Sequence, residues 1–178
     1  SFDQDQPSSR LAVTPVTGRP VAWNQFKADR AREIAEIGPE NFTEACRGNL
    51  LVARLLTGNW DILAGVRSAL SLWPKEGPTE ESILYRLTEL TKAFFEHNGS
   101  EEEEEFLLQL LSDQVACYWT IEELEGICEG NLRRSVVQVL EELYQRGWLE
   151  KSLLTKDKVV YRMHYLVRLA LKRAVLIP

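Results

Sequence analysis

Residues 132–163 read LRRSVVQVLEELYQRGWLEKSLLTKDKVVYRM, and the fold is decided there. Val136, Val139, Leu140 and Leu143 recur at helical spacing, Gly147 stops the run, and Val159-Val160-Tyr161-Arg162-Met163 alternates as a strand does. Trp148-Leu149-Glu150-Lys151-Ser152 and the polar turn at Lys156-Asp157 supply the other arm of a β-hairpin. Upstream, Thr120 with Glu123 forms a capping box that opens a helix from Ile121 to Cys128, preceded by a short β-like run, Ala116-Cys117-Tyr118-Trp119. Before that, Ser100 caps a helix whose first turn is the acidic run Glu101–Glu105, a charge pattern that suits the positive end of the helix dipole. Helix, short strand, helix, turn, helix and hairpin is the order of a winged helix. A last helix from His164 to Val175 closes the chain.

The first half has a different composition. Prolines at 7, 15 and 20 break up the first twenty residues and forbid a helix there, leaving Leu11-Ala12-Val13-Thr14 as an extended segment or single strand. Trp23, Phe26, Ala31, Ile34 and Ile37 then predict one helix that Gly38-Pro39 ends. A second helix is expected over Glu40–Leu56, interrupted at Gly48 and closed by Gly58-Asn59, and a third over Trp60–Leu72. Residues 73–78 form a loop, Thr79 caps with Ser82 three residues on, and Ile83, Leu84, Leu87, Leu90 and Phe94 mark a fourth helix. The expected architecture is mainly α: an arm over 1–20, a four-helix domain over 21–99, and a winged-helix domain over 100–178 with a small β-hairpin.

The 178 residues are 44% hydrophobic and 27% charged, as in an ordinary globular protein. No run approaches the 18 or so apolar residues of a membrane span, and the polar start, residues 1–6, is no signal peptide. Three cysteines at 46, 117 and 128 argue for a reducing, cytoplasmic setting, and with two histidines they leave little material for a metal site. Cys117 and Cys128 sit on apolar faces and are expected to be buried.

The net charge of −6 makes nucleic-acid binding a minority reading. Arg133, Arg134, Gln138, Gln145 and Arg146 occupy the candidate reading helix, and Lys156 and Lys158 the wing, but Glu141 and Glu142 share that helix. In favour of phosphate contact is the tail, where residues 151–178 carry seven Lys or Arg and the single acid Asp157. No Gly-Lys pair exists for a P-loop, and no G-x-G-x-x-G, G-x-S-x-G or Cys-x-x-Cys occurs. The run Glu101–Glu105 reads as a solvated helix end rather than as a metal or general-base cluster. No catalytic constellation stands out, and the chain is expected to be no enzyme.

Two stretches resemble a known family. Residues 136–149, VVQVLEELYQRGWL, are similar to the "LeeLvdrgLL" helix of STAND-class NTPases, which include the NB-ARC proteins. Residues 161–170, YRMHYLVRLA, are similar to the "yrMHdlvreyA" motif that closes the winged helix of that family. Glu44–Leu56 more loosely resembles the "cgGlPLAlrll" helix of the adjoining helical domain, and Arg10–Val13 the last strand of the nucleotide core. The resemblance implies that His164 reaches the β-phosphate of ADP and helps lock a closed state; Arg162 and Gly48 are looser candidates for nucleotide contact. A helix N-terminus behind His164 suits an anion.

Three departures matter. Tyr165 stands where the family has aspartate, Leu50 stands where it has the proline that lies on adenine, and both Walker segments are absent. The chain is then either the C-terminal part of a larger NTPase or a degenerate relative, and in neither case hydrolyses nucleotide unaided. The expected function is a regulatory module that packs on a nucleotide-binding core or other protein domains and controls switching and self-association. ADP or ATP would enter only through a larger parent protein. The alternatives are a winged-helix DNA-binding regulator using Arg133, Arg134, Lys156 and Lys158, and a protein adaptor docking through exposed aromatics such as Trp60 or Trp73.

Overall fold

The computed structural model describes residues 18–63, 79–97 and 102–176. Among them are ten helices and three strands: α1 (Gly18–Asp29), α2 (Ala31–Ile37), α3 (Pro39–Cys46), α4 (Leu50–Gly58), α5 (Trp60–Leu63), α6 (Glu80–His97), α7 (Glu102–Ser112), β1 (Tyr118–Thr120), α8 (Ile121–Cys128), α9 (Val136–Gln145), β2 (Glu150–Thr155), β3 (Lys158–Arg162) and α10 (Tyr165–Leu176). The molecule is mainly helical with a small antiparallel sheet, as the periodicities predict. Residues 1–17 of the expected arm over 1–20, with Arg10–Val13, and also Trp73 and the Ser100 cap lie outside the described residues.

Several helices are shorter than their apolar periodicity suggests. The first expected helix breaks at Arg30 into α1 and α2. It also starts at Gly18, so Pro20 falls in the first turn, where its missing N–H has no partner to lose. The second breaks at Arg47 and Gly48, whose φ angles of 49° and 78° are both left-handed. Asn49 then restarts the chain as the cap of α4, its side chain accepting from the Val52 amide at 2.9 Å. Gly48 therefore lies between helices rather than within one. Other caps match expectation. Thr79 and Ser82 bond reciprocally, each side chain to the other's amide at 3.1 Å, and Thr120 with Glu123 makes the full capping box.

The sheet order is β1-β3-β2, all antiparallel, with Trp119 opposite Tyr161 and Glu150 opposite Arg162. Trp119 and Tyr161 are buried, whereas the hairpin beyond them projects: Leu153 and Leu154 are 69% and 57% exposed around an irregular register. α10 runs back along α6, and Arg173 bonds Glu81 at 3.1 Å. One continuous core links the buried faces on both sides of residue 99, from Ile37 and Leu56 to Leu143 and Leu171. Cys46 and Cys128 belong to it, and burial pushes both thiols up. Cys117 is exposed, contrary to its sequence reading, because it lies just before β1 on the loop side. Trp60 is buried as well, which removes it as an exposed docking aromatic.

The tightest packing lies where α4 meets the end of α9. A Cβ on Gly58 would sit 2.3 Å from the Arg146 carbonyl oxygen, and one on Gly147, at φ +93°, would sit 2.9 Å from the Arg54 carbonyl oxygen. The fully buried Asn59 has its amide satisfied there: Nδ2 donates to the Leu55 and Arg146 carbonyls at 2.7 and 3.1 Å, and Oδ1 accepts from Trp148 Nε1 at 3.2 Å. The Trp148 ring is tilted against Phe94 at 5.1 Å. Gly58→Ala is expected to cost about 3 kcal/mol, because two backbones must move apart. Gly126→Ala, on an open face of α8 with nothing within 4 Å, should instead stabilise by roughly 0.5–1 kcal/mol. Thermal or urea denaturation of the two variants measures both signs.

Candidate functional site

His164 stands between the last strand and the last helix. Its carbonyl accepts the Arg168 amide at 3.1 Å, the first helical bond of α10, and its Nδ1 accepts the Leu166 amide at 3.1 Å. The imidazole thus acts as a side-chain N-cap, a role that requires Nδ1 unprotonated and places the ring proton of the neutral form on Nε2. Before it, Met163 is buried and its amide bonds the Cys117 carbonyl at 3.0 Å; after it, Tyr165 stacks on the ring at 5.0 Å. Arg168 ties the same helix turn to the Gln114 and Ala116 carbonyls. The half-buried ring is held by the Leu166 amide at one edge and by the Tyr165 ring across its face.

Arg162 and Gly48 are placed differently. Arg162 is paired with Glu150 across the hairpin, Nε to Oε1 at 3.0 Å, and Arg54 approaches the other carboxylate oxygen at 3.7 Å. Gly48 has no atom within 4 Å of where a Cβ would lie, so its glycine serves the left-handed turn and no close approach to a neighbouring group. Of the two clefts that border these elements, only the larger includes Arg162, and neither includes His164 or Gly48. His164 stands at a helix start, where one of the amides is already taken by its own Nδ1. These residues do not form a nucleotide pocket by themselves, and no chemical step through a nucleotide is derived from them.

The expected nucleic-acid residues also separate. Arg133 and Arg134 precede α9 rather than riding on it, because Ser135 caps that helix. Glu103, on the first turn of α7, accepts both their amides and Arg134 Nε at 2.9 Å, and Arg134 Nη1 reaches Glu142 at 2.6 Å. Lys156 and Lys158 are exposed at the hairpin turn. Glu103 and Glu104 of the acidic run are therefore not solvated as expected. Glu103 is a clamp, and Glu104 is 1% exposed and paired with Arg146 Nε at 3.3 Å. Among the described residues no group of three His, Cys, Asp or Glu side chains is arranged to hold a metal.

Periodicity gave no sign of the charged centre that the chain does build. Arg146 donates to Asp61 at 2.9 and 3.2 Å, to Glu104, and to the Gly58 carbonyl at 3.4 Å. Burial opposes its charge, but Asp61 and Glu104 outweigh that and hold its pKa up. A cleft of about 550 Å³ opens beside it, lined in part by Arg32, Glu36, Trp60, Asp61 and Glu142. A second cleft, of about 870 Å³, lies between α1, α4 and the hairpin root, around Arg54, Glu150 and Arg162. The Glu150–Arg162 pair was within reach of the sequence, since counting back from the two-residue turn brings them close to opposition.

The carboxylates give the site a pH dependence. A hydrogen bond from Arg134 holds Glu142 below the ordinary value of 4.5, and bonds from Lys151 and the Tyr161 hydroxyl do the same for Glu141. The same contact pushes Tyr161 up, after burial. Folded-state pKa values below the unfolded ones mean that this stabilisation is complete at neutral pH and is lost as pH falls below 4.5 through the lowered values. Glu142→Gln should therefore lower Tm at neutral pH, and its gap from the parent chain should narrow progressively as pH falls below 4.5. Thermal melts across that range test it, and a gap independent of pH would mean that the ionised carboxylate is not the source.

No family model, no curated protein and no solved structure matches this chain.

Proposed function

We propose that this chain is a regulatory module of a STAND-type switch, in which a winged-helix unit and the helices before it pack on a nucleotide-binding core and help hold it closed. The observation that carries the reading is the position of His164. It follows a buried Met163 at the end of β3 and caps α10, where a helix N-terminus already favours an anion. The residues that resemble the family motif thus run from β3 across a strand-to-helix junction into α10. With Nδ1 engaged by the Leu166 amide, Nε2 is the atom through which the ring would meet a phosphate of the core. Arg162 and Gly48 are weaker candidates, because one serves Glu150 and the other serves a turn.

The reading needs no catalysis from this chain. It needs a difference in contact between two states, since a nucleotide shifts a switch only by its differential affinity for them. DNA binding is the second reading. The exposed Lys156 and Lys158 favour it, and the capture of Arg134 by Glu103 and Glu142 weighs against it.

In the full-length parent protein, His164→Ala should weaken ADP retention and raise basal activity or self-association, whereas His164→Gln should keep part of the cap. Unchanged ADP affinity and unchanged basal activity in His164→Ala would remove the switch role. A duplex-DNA shift assay over a salt series separates the alternative: binding that falls steeply with salt would favour DNA, and the expected result is no retention at physiological salt.

A further inference from the structure

The larger cleft carries a charge opposite to that of the whole chain. It is lined by Arg30, Arg54, Lys151 and Arg162 against two carboxylates, Asp29 and Glu150, and so has two positive charges in excess on a protein of net charge −6. Phe26 and Tyr144 contribute apolar wall, and the volume of about 870 Å³ suits a small ligand or a side chain with its flanking backbone.

An anion already sits in it. Glu150 Oε1 receives both Nε and Nη2 of Arg162, and Arg54 Nη1 lies 3.7 Å from Oε2. The two guanidiniums come from β3 and α4, so their separation is set by the sheet on one side and by the glycine junction on the other. Arg54 is tied further to the Leu149 carbonyl at 3.4 Å. Arg30 reaches across to a main-chain acceptor, the Gln145 carbonyl, at 3.3 Å. Lys151 is divided between Glu141 at 2.8 Å and the face of Tyr144 at 4.5 Å. Two guanidiniums therefore share one carboxylate, with a third close at hand.

We propose that this cleft is a phosphate-monoester site in which Glu150 is the resident anion that an incoming phosphate displaces. The planar fork of arginine suits tetrahedral oxyanions as well as carboxylates. A phosphate dianion brings more charge and more acceptor oxygens than the carboxylate, and matches the positive excess of the cleft. Displacement has to draw out a carboxylate that is only 17% exposed, and the side of the clamp nearest solvent is Arg162, at 42%; the added charge and acceptor oxygens of the phosphate offset that cost. Once Glu150 turns outward, Arg54, Arg162 and Arg30 converge on the phosphoryl oxygens, and Phe26 and Tyr144 line the space for the group that bears them. The site stands on this clamp and is independent of the switch reading.

The test is a calorimetric titration of the chain with inorganic phosphate and with O-phosphotyrosine, at an ionic strength fixed with chloride. Glu150→Gln is expected to raise phosphate affinity at least fivefold, and Arg162→Gln to lower it at least tenfold. Lys156→Gln, which removes one charge at the far end of the hairpin, should leave it within twofold. Arg54→Gln should act like Arg162→Gln; if it loses the fold by circular dichroism, Glu150→Gln and Arg162→Gln decide between them. Tighter binding of O-phosphotyrosine assigns the site to a phosphorylated side chain, and equal binding assigns it to free phosphate. Absence of saturable binding in Glu150→Gln would overturn the site. So would a loss in Lys156→Gln as large as in Arg162→Gln, which would mean general attraction to a basic hairpin.

Discussion

The contact between the end of α4 and the end of α9 is made by backbone. At Gly58 and Gly147 the two chains approach so closely that neither position has room for a side chain. That approach places the Arg146 carbonyl on Asn59 and the Trp148 indole on the other end of the same amide. It also brings the Arg146 guanidinium within reach of Asp61 and Glu104, and drives Trp148 into the core against Phe94. The buried Asn59 amide and the Trp148 indole are satisfied at this separation, and an unsatisfied group costs more than a formed bond gains. The junction is therefore cooperative: widening it strands several donors and acceptors at once.

The hairpin inherits its position from the same contact. Gly147 turns the chain, Trp148 and Leu149 are buried, and Glu150 emerges between Arg54 of α4 and Arg162 of β3. β3 then delivers Met163 to the core and His164 to the start of α10, whose far side lies on α6. Rotating the sheet against α4 would break the Asn59 amide bonds and the Glu150 clamp together. A switch built on this unit would turn it as one body, with the moving interface elsewhere, because the inside has no soft plane between α4 and α9. A ligand that displaced Glu150 would loosen the hairpin side of that assembly, where Arg162 meets solvent.

Much of the local structure was legible in the sequence, because it rests on short-range chemistry. The Thr120–Glu123 box, the Thr79–Ser82 cap and the helix from Ile121 to Cys128 depend on residues three or four apart, and they stand where the spacing puts them. The break at Arg30 was not read, and Gly48 was read as an interruption within one helix rather than as the boundary between two. Apolar periodicity continues across both, although Gly48-Asn49 is a turn followed by a good N-cap and could have been weighed as such. The burial of Glu104 was beyond local reasoning, because a run of five acids at a helix start looks solvated until Arg146, over forty residues later, arrives beside it. Arg133 and Arg134 were misplaced for a similar reason: the helix pattern extends back to Leu132, but Ser135 takes the cap and Glu103 captures the residues before it.

Charge counting misled most at the tail. Residues 151–178 hold seven cations and one acid, which suggests a surface made for phosphate backbone. Folded, four of the seven are spent inside the molecule. Lys151 goes to Glu141, Arg162 to Glu150, Arg173 to Glu81, and Arg168 to two main-chain carbonyls. Each acid in these pairs lies outside the tail, so the imbalance along the sequence is largely repaired in space. What survives is local: exposed lysines at the hairpin turn, and a cleft where guanidiniums outnumber carboxylates. A long groove of free cations would argue for a polymer, because affinity there grows with the number of phosphates neutralised. A small cleft with two arginines on one carboxylate argues for a single anionic group, held by geometry more than by charge.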